Sequence, residues 1–266
     1  MAIEAGSLHG FTTSSFTHGG KTRDVFRGGS GPGVVVIHEL PGITPKVAEF
    51  GRRVIDAGFT VAMPSLVGTP GKEMSLPYVA QSTTSVCISR EFSTWAVNRT
   101  SPIIEWLRAL ARDLDAQTGG KGVGAIGMCF SGGFALAMAV DDEMIAPVCS
   151  QPSLPFPVGR ARARDIGLSP SDLERVRERA AAGQCVIGLR FTHDRAVPEV
   201  RFQRLRDELG DRFIAIEIDS SPGNPHGNPK LAHSVLTEHL VDEAGHPTGE
   251  AMTRVIAFLQ EQLISR

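Results

Sequence analysis

The feature that most constrains the fold is an alternation of short, unbroken apolar runs with longer segments whose apolar residues fall at helical spacing. The runs are GVVVI (33–37), FTVAMP (59–64), VGAIGM (123–128), IAPVCS (145–150), CVIGLRF (185–191) and RFIAIEI (212–218). GVVVI is the clearest, a continuous apolar run of the kind buried on both faces, and the others read as further strands of the same sheet. Between them lie PKVAEFGRRVIDA (45–57), with Val47, Phe50, Val54 and Ile55 on one stripe, and PIIEWLRALARDLDAQ (102–117), with Ser101 as N-cap and Pro102 at the first helical position. Further helices are expected over 133–141, from Ser169, over Pro198–Leu209 and over Pro247–Ile264. Strand, helix, strand units of this length imply parallel pairs with right-handed crossovers. The fold class that follows is α/β, a doubly wound, mostly parallel sheet flanked by helices. No repeat or linker divides the chain, so residues 1–266 are expected to form a single domain, with a polar segment over 1–30 that holds edge strands near Ser14 to Phe26.

Charge narrows the class of partner. With 27 Lys and Arg against 29 Asp and Glu, the net charge is −2, which leaves no electrostatic footprint for nucleic acid or an anionic membrane. The apolar runs fall far short of the roughly 20 residues of a membrane span. The opening MAIEAGSLHG also lacks the charged-then-apolar order of a signal peptide. A cytoplasmic protein acting on a small molecule, as a monomer or homodimer, is the expectation. Cys87, Cys129, Cys149 and Cys185 are widely separated and expected to be free thiols, and neither they nor His38, His193, His239 and His246 show metal-ligand spacing. No metal or cofactor is expected.

One stretch carries chemistry. In GMCFSGG (127–133), Cys129 stands between the strand VGAIGM and a helix, flanked at two residues by the small Gly127 and Ser131. This is the pattern of a nucleophile elbow, in which a tight strand-to-helix turn presents the nucleophile and demands small neighbours. The helix N-terminus favours a thiolate and can hold an oxyanion, with the Phe130 N–H as one donor. The alternative is that Cys129 is a small buried hydrophobe. A nucleophile of this kind needs a base and an acid that orients it. Asp194 in RFTHDRAVP follows the strand CVIGLRF, where this fold places its acid, although a capping aspartate would look the same. The loop SPGNPHGNPKLAHSVL (221–236) offers two histidines, His226 near the strand end and His233 among apolar neighbours.

Together these residues resemble the dienelactone hydrolase family, carboxymethylenebutenolidase-like α/β-hydrolases with a cysteine nucleophile. The resemblance runs from about Val34 to the C-terminus and rests on IHELPGI (37–43), GMCFSGG, THDRAVP (192–198) and the histidine loop. It implies an α/β-hydrolase fold and a Cys, Asp, His triad on Cys129, Asp194 and a loop histidine. It also implies that Glu39 pairs with the cysteine in the resting enzyme and that the Leu40 N–H joins that of Phe130 in the oxyanion hole. The family pattern P-G-x-x-H matches His226, whereas the small and apolar residues after the histidine match His233 with Ser234 and Val235; His233 is preferred, with His226 as the alternative. The family elbow commonly reads G-x-C-x-G-G, so Ser131 is a departure. Its substrate-gripping arginine and tyrosine would fall in CISREFSTW, where Arg90 is available but no tyrosine is, since the one tyrosine is Tyr78.

The expected activity is hydrolysis of a small, anionic ester or lactone through an acyl-enzyme on Cys129. Two other classes fit the same residues: a hydrolase-fold binding protein without turnover, and a thiol redox sensor using Cys87 or Cys149 as resolving partner. The basic segment LPFPVGRARARDI (154–166) reads as a solvated loop.

Overall fold

The computed structural model describes residues 6–265. In chain order the elements are β1 (Thr12–His18), β2 (Lys21–Gly29), β3 (Gly33–Ile37), α1 (Pro45–Asp56), β4 (Thr60–Pro64), α2 (Leu76–Ile88), α3 (Ile103–Thr118), β5 (Val123–Met128), α4 (Gly132–Met138), β6 (Met144–Ser150), α5 (Gly159–Arg164), α6 (Pro170–Ala181), β7 (Val186–Phe191), α7 (Glu199–Leu209), β8 (Phe213–Ile218) and α8 (Pro247–Leu263). The eight strands form one sheet in the order β1-β2-β4-β3-β5-β6-β7-β8. Pairing is parallel from β4 through β8 and antiparallel only where β2 meets β1 and β4. This is the mostly parallel, helix-flanked sheet that the alternation of apolar runs implies, and the α/β-hydrolase fold that the family resemblance implies.

The central strands β3 and β5 are apolar throughout because both their faces are covered, whereas β1, β2 and the edge strand β8 carry polar residues and are partly exposed. In β3, Val35 and Ile37 enter a core built with α3, α4, α6 and α7, while Val34 and Val36 enter a second core built with α1 and α8. Successive side chains of a strand point to opposite faces, so one five-residue run serves two cores. Burying a valine or isoleucine side chain contributes about 1.5–3 kcal/mol, and all four are fully buried.

Local signals set the helix ends. Thr44 caps α1, its hydroxyl accepting from the Val47 N–H at 3.3 Å, and Ser169 caps α6 in the same way from Asp172 at 3.2 Å. Ser101 does not cap α3 as its sequence position suggests. Its hydroxyl donates to the Phe92 carbonyl at 2.7 Å, and Pro102 occupies the cap with no side-chain hydrogen bond. A tertiary acceptor has won over the local N–H groups.

Two helices have no clear sequence signal. In α2, LPYVAQSTTSVCI, the hydroxyls of Thr83, Thr84 and Ser85 bond back to the carbonyls four residues earlier. Such residues weakly oppose a helix in isolation, and only Tyr78, Ser82 and Val86 are buried to hold it. The short α5 lies within 154–166; none of its own residues is buried, but Leu154, Asp165 and Ile166 on either side of it are, so the segment is less solvated than its arginines suggest.

Candidate active site

The site forms where β3, β5, β6 and β7 end and the chain turns away from the sheet. At the end of β5, Cys129 adopts φ +56°, a left-handed conformation that only a few per cent of non-glycine residues take. This bend lets a strand turn at once into a 3-10 turn, Cys129–Ser131, and then into α4. It needs room on both sides. A Cβ at Gly127 would lie 2.1 Å from the Ser131 carbonyl oxygen, and one at Gly132 would lie 2.6 Å from Ser150 O and from Pro152 Cα. At Gly133 the nearest atom would be an ordinary 3.6 Å away.

Ser131 has a structural use that the sequence does not announce. Its buried hydroxyl accepts from the Met128 N–H at 2.9 Å and lies 3.0 Å from the carbonyls of Ile37 and His38 and 2.9 Å from that of Met128. One side chain thus fastens the elbow to the end of β3.

Asp194 sits in the turn after β7, and its Oδ2 lies 2.6 Å from His233 Nδ1. The other carboxylate oxygen accepts from the Ala196 N–H at 2.9 Å. Burial alone would lower the His233 pKa, but the Cys129 sulfur and the Asp194 carboxylate beside it outweigh burial and hold it well above the ordinary histidine value. The histidine loop is fixed from behind by His239, whose Nδ1 accepts from the backbone N–H groups of His233 at 3.4 Å and Ser234 at 3.2 Å. That acceptor role requires an unprotonated Nδ1, and burial together with the charge of His233 lowers the His239 pKa accordingly. His226 lies elsewhere: it is exposed and meets His246 ring to ring at 5.6 Å.

Glu39 is buried at the end of β3, next to His38. Its carboxylate accepts from Ser234 Oγ at 2.6 Å, from Gln151 Nε2 at 3.2 Å and from the Thr237 hydroxyl. It makes no hydrogen bond to Cys129 among the described residues. The sulfur instead lies 3.6 Å from Ser153 Oγ. Leu40 follows Glu39 on the bend out of β3, and its N–H donates to no protein group among the described residues. Phe130 is the second residue of the 3-10 turn, where N–H groups have no acceptor within the helix.

His38 is wholly structural in its bonding. Its Nδ1 donates to the Glu39 carbonyl at 2.7 Å and its Nε2 accepts from the Leu66 N–H at 3.0 Å. Burial pushes its pKa down to about 4, so the ring is neutral near pH 7. Arg90 is exposed at the turn after α2 and makes no hydrogen bond or ion pair among the described residues. Within 154–166, Arg162 donates to the Trp95 carbonyl at 2.9 Å and Arg164 pairs with Asp207 at the surface.

The structure therefore brings Cys129, Asp194 and His233 to one place with Glu39 behind them, and leaves His226 and Arg90 out of direct contact with that group. Gln151, Ser153, Thr237 and His239 also belong to it. Sequence reasoning passes over Gln151, Ser153 and Thr237 because each is placed by long-range packing and falls in no motif, and it reads His239 only as a histidine without metal-ligand spacing. No group of three or more His, Cys, Asp or Glu side chains that could hold a metal ion occurs among the described residues. No helix there is long and apolar enough to cross a membrane.

Comparisons with known proteins bear on the family and the fold. A provisionally named carboxymethylenebutenolidase of Saccharomyces cerevisiae is 28% identical over 195 residues, covering 70% of this chain and 67% of that protein. A provisionally named dienelactone hydrolase from Klebsiella pneumoniae superposes with a TM-score of 0.65 at 15% identity, covering 94% of this chain and 98% of the other. A dienelactone hydrolase-like promiscuous phosphotriesterase from metagenomic libraries gives 0.62 at 20% identity over 94% and 98%. At such identities the solved structures speak for the fold alone. The family model of the dienelactone hydrolases matches residues 26–263, a span that holds the elbow, the acid turn and the histidine loop, and the chain belongs to that family of hydrolases.

Proposed function

We propose that this protein is a cysteine hydrolase that cleaves a small ester or lactone through an acyl-enzyme on Cys129. The observation that carries the reading is the strained elbow, which holds the Cys129 sulfur beside a histidine already paired with a buried carboxylate. In the proposed cycle His233 takes the thiol proton and the sulfur attacks the substrate carbonyl. The N–H groups of Leu40 and Phe130 stabilise the tetrahedral oxyanion, where losing one donor in comparable sites costs about 3–4 kcal/mol of barrier. Collapse expels an alkoxide, which takes its proton from His233. Water then gives its proton to His233, attacks the thioester carbon and frees the acid. Asp194 orients the ring and favours its charged form throughout, without itself taking the proton.

A substrate carboxylate would have Arg90 as its available partner, and the proposed setting is the cytoplasm, where the four free thiols would persist. A sensor reading gains little from Cys149, which is fully buried, with burial raising its pKa to about 12.

The test is hydrolysis of p-nitrophenyl acetate and of a dienelactone by wild type and Cys129→Ser, with quenched enzyme digested to find the acyl group. Turnover with the acyl group on the Cys129 peptide supports the reading. Folded wild type that hydrolyses neither ester and carries no acyl group would overturn it.

A further inference from the structure

A hydroxyl on the loop after β6, that of Ser153, meets the nucleophile. Its Oγ is 3.6 Å from Cys129 Sγ, within hydrogen-bond reach of sulfur, and its backbone N–H donates to the Cys129 carbonyl at 3.0 Å. Ser153 is 2% exposed, and its hydroxyl has no other hydrogen-bond partner among the described residues. It therefore holds the strained residue at both ends, by backbone and by side chain.

The placement is enforced from two sides. Gly132 lets the loop pass so close that a Cβ would strike Ser150 O and Pro152. From the other side Arg201, a fully buried residue of α7, donates to the carbonyls of Pro152 and Pro155 at 2.6 Å each, bracketing Ser153, and to that of Arg162 at 2.9 Å. Its buried Nε finds no partner among the described residues, and a buried guanidinium whose other nitrogens donate only to backbone carbonyls is costly to desolvate. Its work here is to fix this loop. Arg201 lies seven residues after Asp194, so the same stretch of chain carries the acid and locks the loop that holds Ser153.

We infer that Ser153 is a further catalytic residue, whose hydroxyl donates to the Cys129 sulfur, aiming it before attack and stabilising it again as the leaving group in deacylation. In that second step the water oxygen bonds to the acyl carbon and the water proton passes to His233. The C–S bond breaks with its electron pair returning to sulfur, which the Ser153 hydroxyl receives as a thiolate. Arg201 acts through Ser153 and is a positioning residue. The inference rests on the proposed cysteine hydrolysis, but the bond to sulfur can be read without turnover.

The experiment measures iodoacetamide alkylation of the Cys129 peptide by mass spectrometry across pH, together with the burst on p-nitrophenyl acetate, for wild type, Ser153→Ala and Ser153→Thr. Loss of a hydrogen bond to a charged sulfur is expected to slow alkylation of Ser153→Ala about three- to tenfold at neutral pH and move its profile upward. The same variant should accumulate acyl-enzyme, because its leaving thiolate is less stable, while Ser153→Thr keeps the wild-type profile. If the alanine variant does not fold, Ser153→Gly removes the same hydroxyl. A hydroxyl-free variant that superimposes on wild type in alkylation, or a threonine variant displaced as far as the alanine one, would overturn the inference. Failure of hydrolysis in wild type with a displaced alkylation profile in Ser153→Ala would sink the proposed activity and leave the Ser153 bond to sulfur standing.

Discussion

Asp194 Oδ2 lies 2.6 Å from His233 Nδ1, across 39 residues of chain, while His226, seven residues nearer in sequence, is exposed and turned to His246. The geometry separates two histidines that share one loop. His233→Ala and Asp194→Asn are each expected to lower kcat on p-nitrophenyl acetate by about 10²–10⁴-fold. His226→Ala should stay within about twofold of wild type. A His226 variant as impaired as the Cys129 variant would reverse the assignment.

What could be read from the sequence, and what could not, follows from the range of the interactions. β3 and β5 declare themselves because a strand buried on both faces must be apolar at every position. The strand-to-helix position of Cys129 is legible because the bend demands small residues at fixed offsets, Gly127 and Ser131. Which histidine meets Asp194 is a different kind of question. It is settled by Ala232, Val235 and Leu236 entering the core shared with α1 and α8, and a single sequence hints at that only through the apolar flanks in LAHSVL. Ser153 and Gln151 carry no local signal at all. They are brought to Cys129 and Glu39 by the path of β6 through the sheet.

The charge state of His233 should depend on Cys129. Burial lowers its pKa, and the neighbouring sulfur and the Asp194 carboxylate raise it to a value well above 6.5. A raised pKa contributes stability that is fully present below the unfolded value and is lost as pH rises through the folded one. In Cys129→Ala the His233 ring signal, followed by NMR, is therefore expected to titrate at lower pH than in wild type. An unmoved midpoint would show that Asp194 alone sets it.

His38 predicts the opposite sign. Its folded pKa, lowered by burial to about 4, lies below the unfolded value of 6.5. Keeping it neutral contributes stability that is present above pH 6.5 and is lost as pH falls toward 4, to the extent of about 3 kcal/mol. His38→Gln keeps an acceptor for the Leu66 N–H but does not titrate. Denaturant unfolding should show a flatter stability profile between pH 6.5 and 4 in this variant than in wild type, and parallel profiles would count against it.

Two glycines of the elbow should respond differently to one methyl group. Gly127→Ala places its Cβ 2.1 Å from the Ser131 carbonyl, a backbone atom that cannot move without breaking the turn. Loss of the folded state or several kcal/mol of stability is expected. Gly133→Ala meets only the Ile166 carbonyl at 3.6 Å, in a helix where alanine is the better former. It should be neutral or slightly stabilising in thermal unfolding.

Glu39 offers the sharpest distinction between what family resemblance implies and what the contacts favour. If its carboxylate held the proton of the resting cysteine, Glu39→Gln would change how Cys129 reacts with iodoacetamide across pH. The carboxylate is instead occupied by donors from Ser234, Thr237 and Gln151, two of them on the loop that carries His233. A glutamine there turns an amide N–H₂ toward groups that already donate, leaving buried donors unpaired at about 1–3 kcal/mol each. Glu39→Gln is thus expected to lower stability and, by loosening the loop, to reduce kcat with p-nitrophenyl acetate, while the alkylation profile of Cys129 keeps its wild-type shape. A displaced alkylation profile at unchanged stability would return Glu39 to the role of proton holder. The two outcomes differ because one acts on the sulfur and the other on the histidine that serves it.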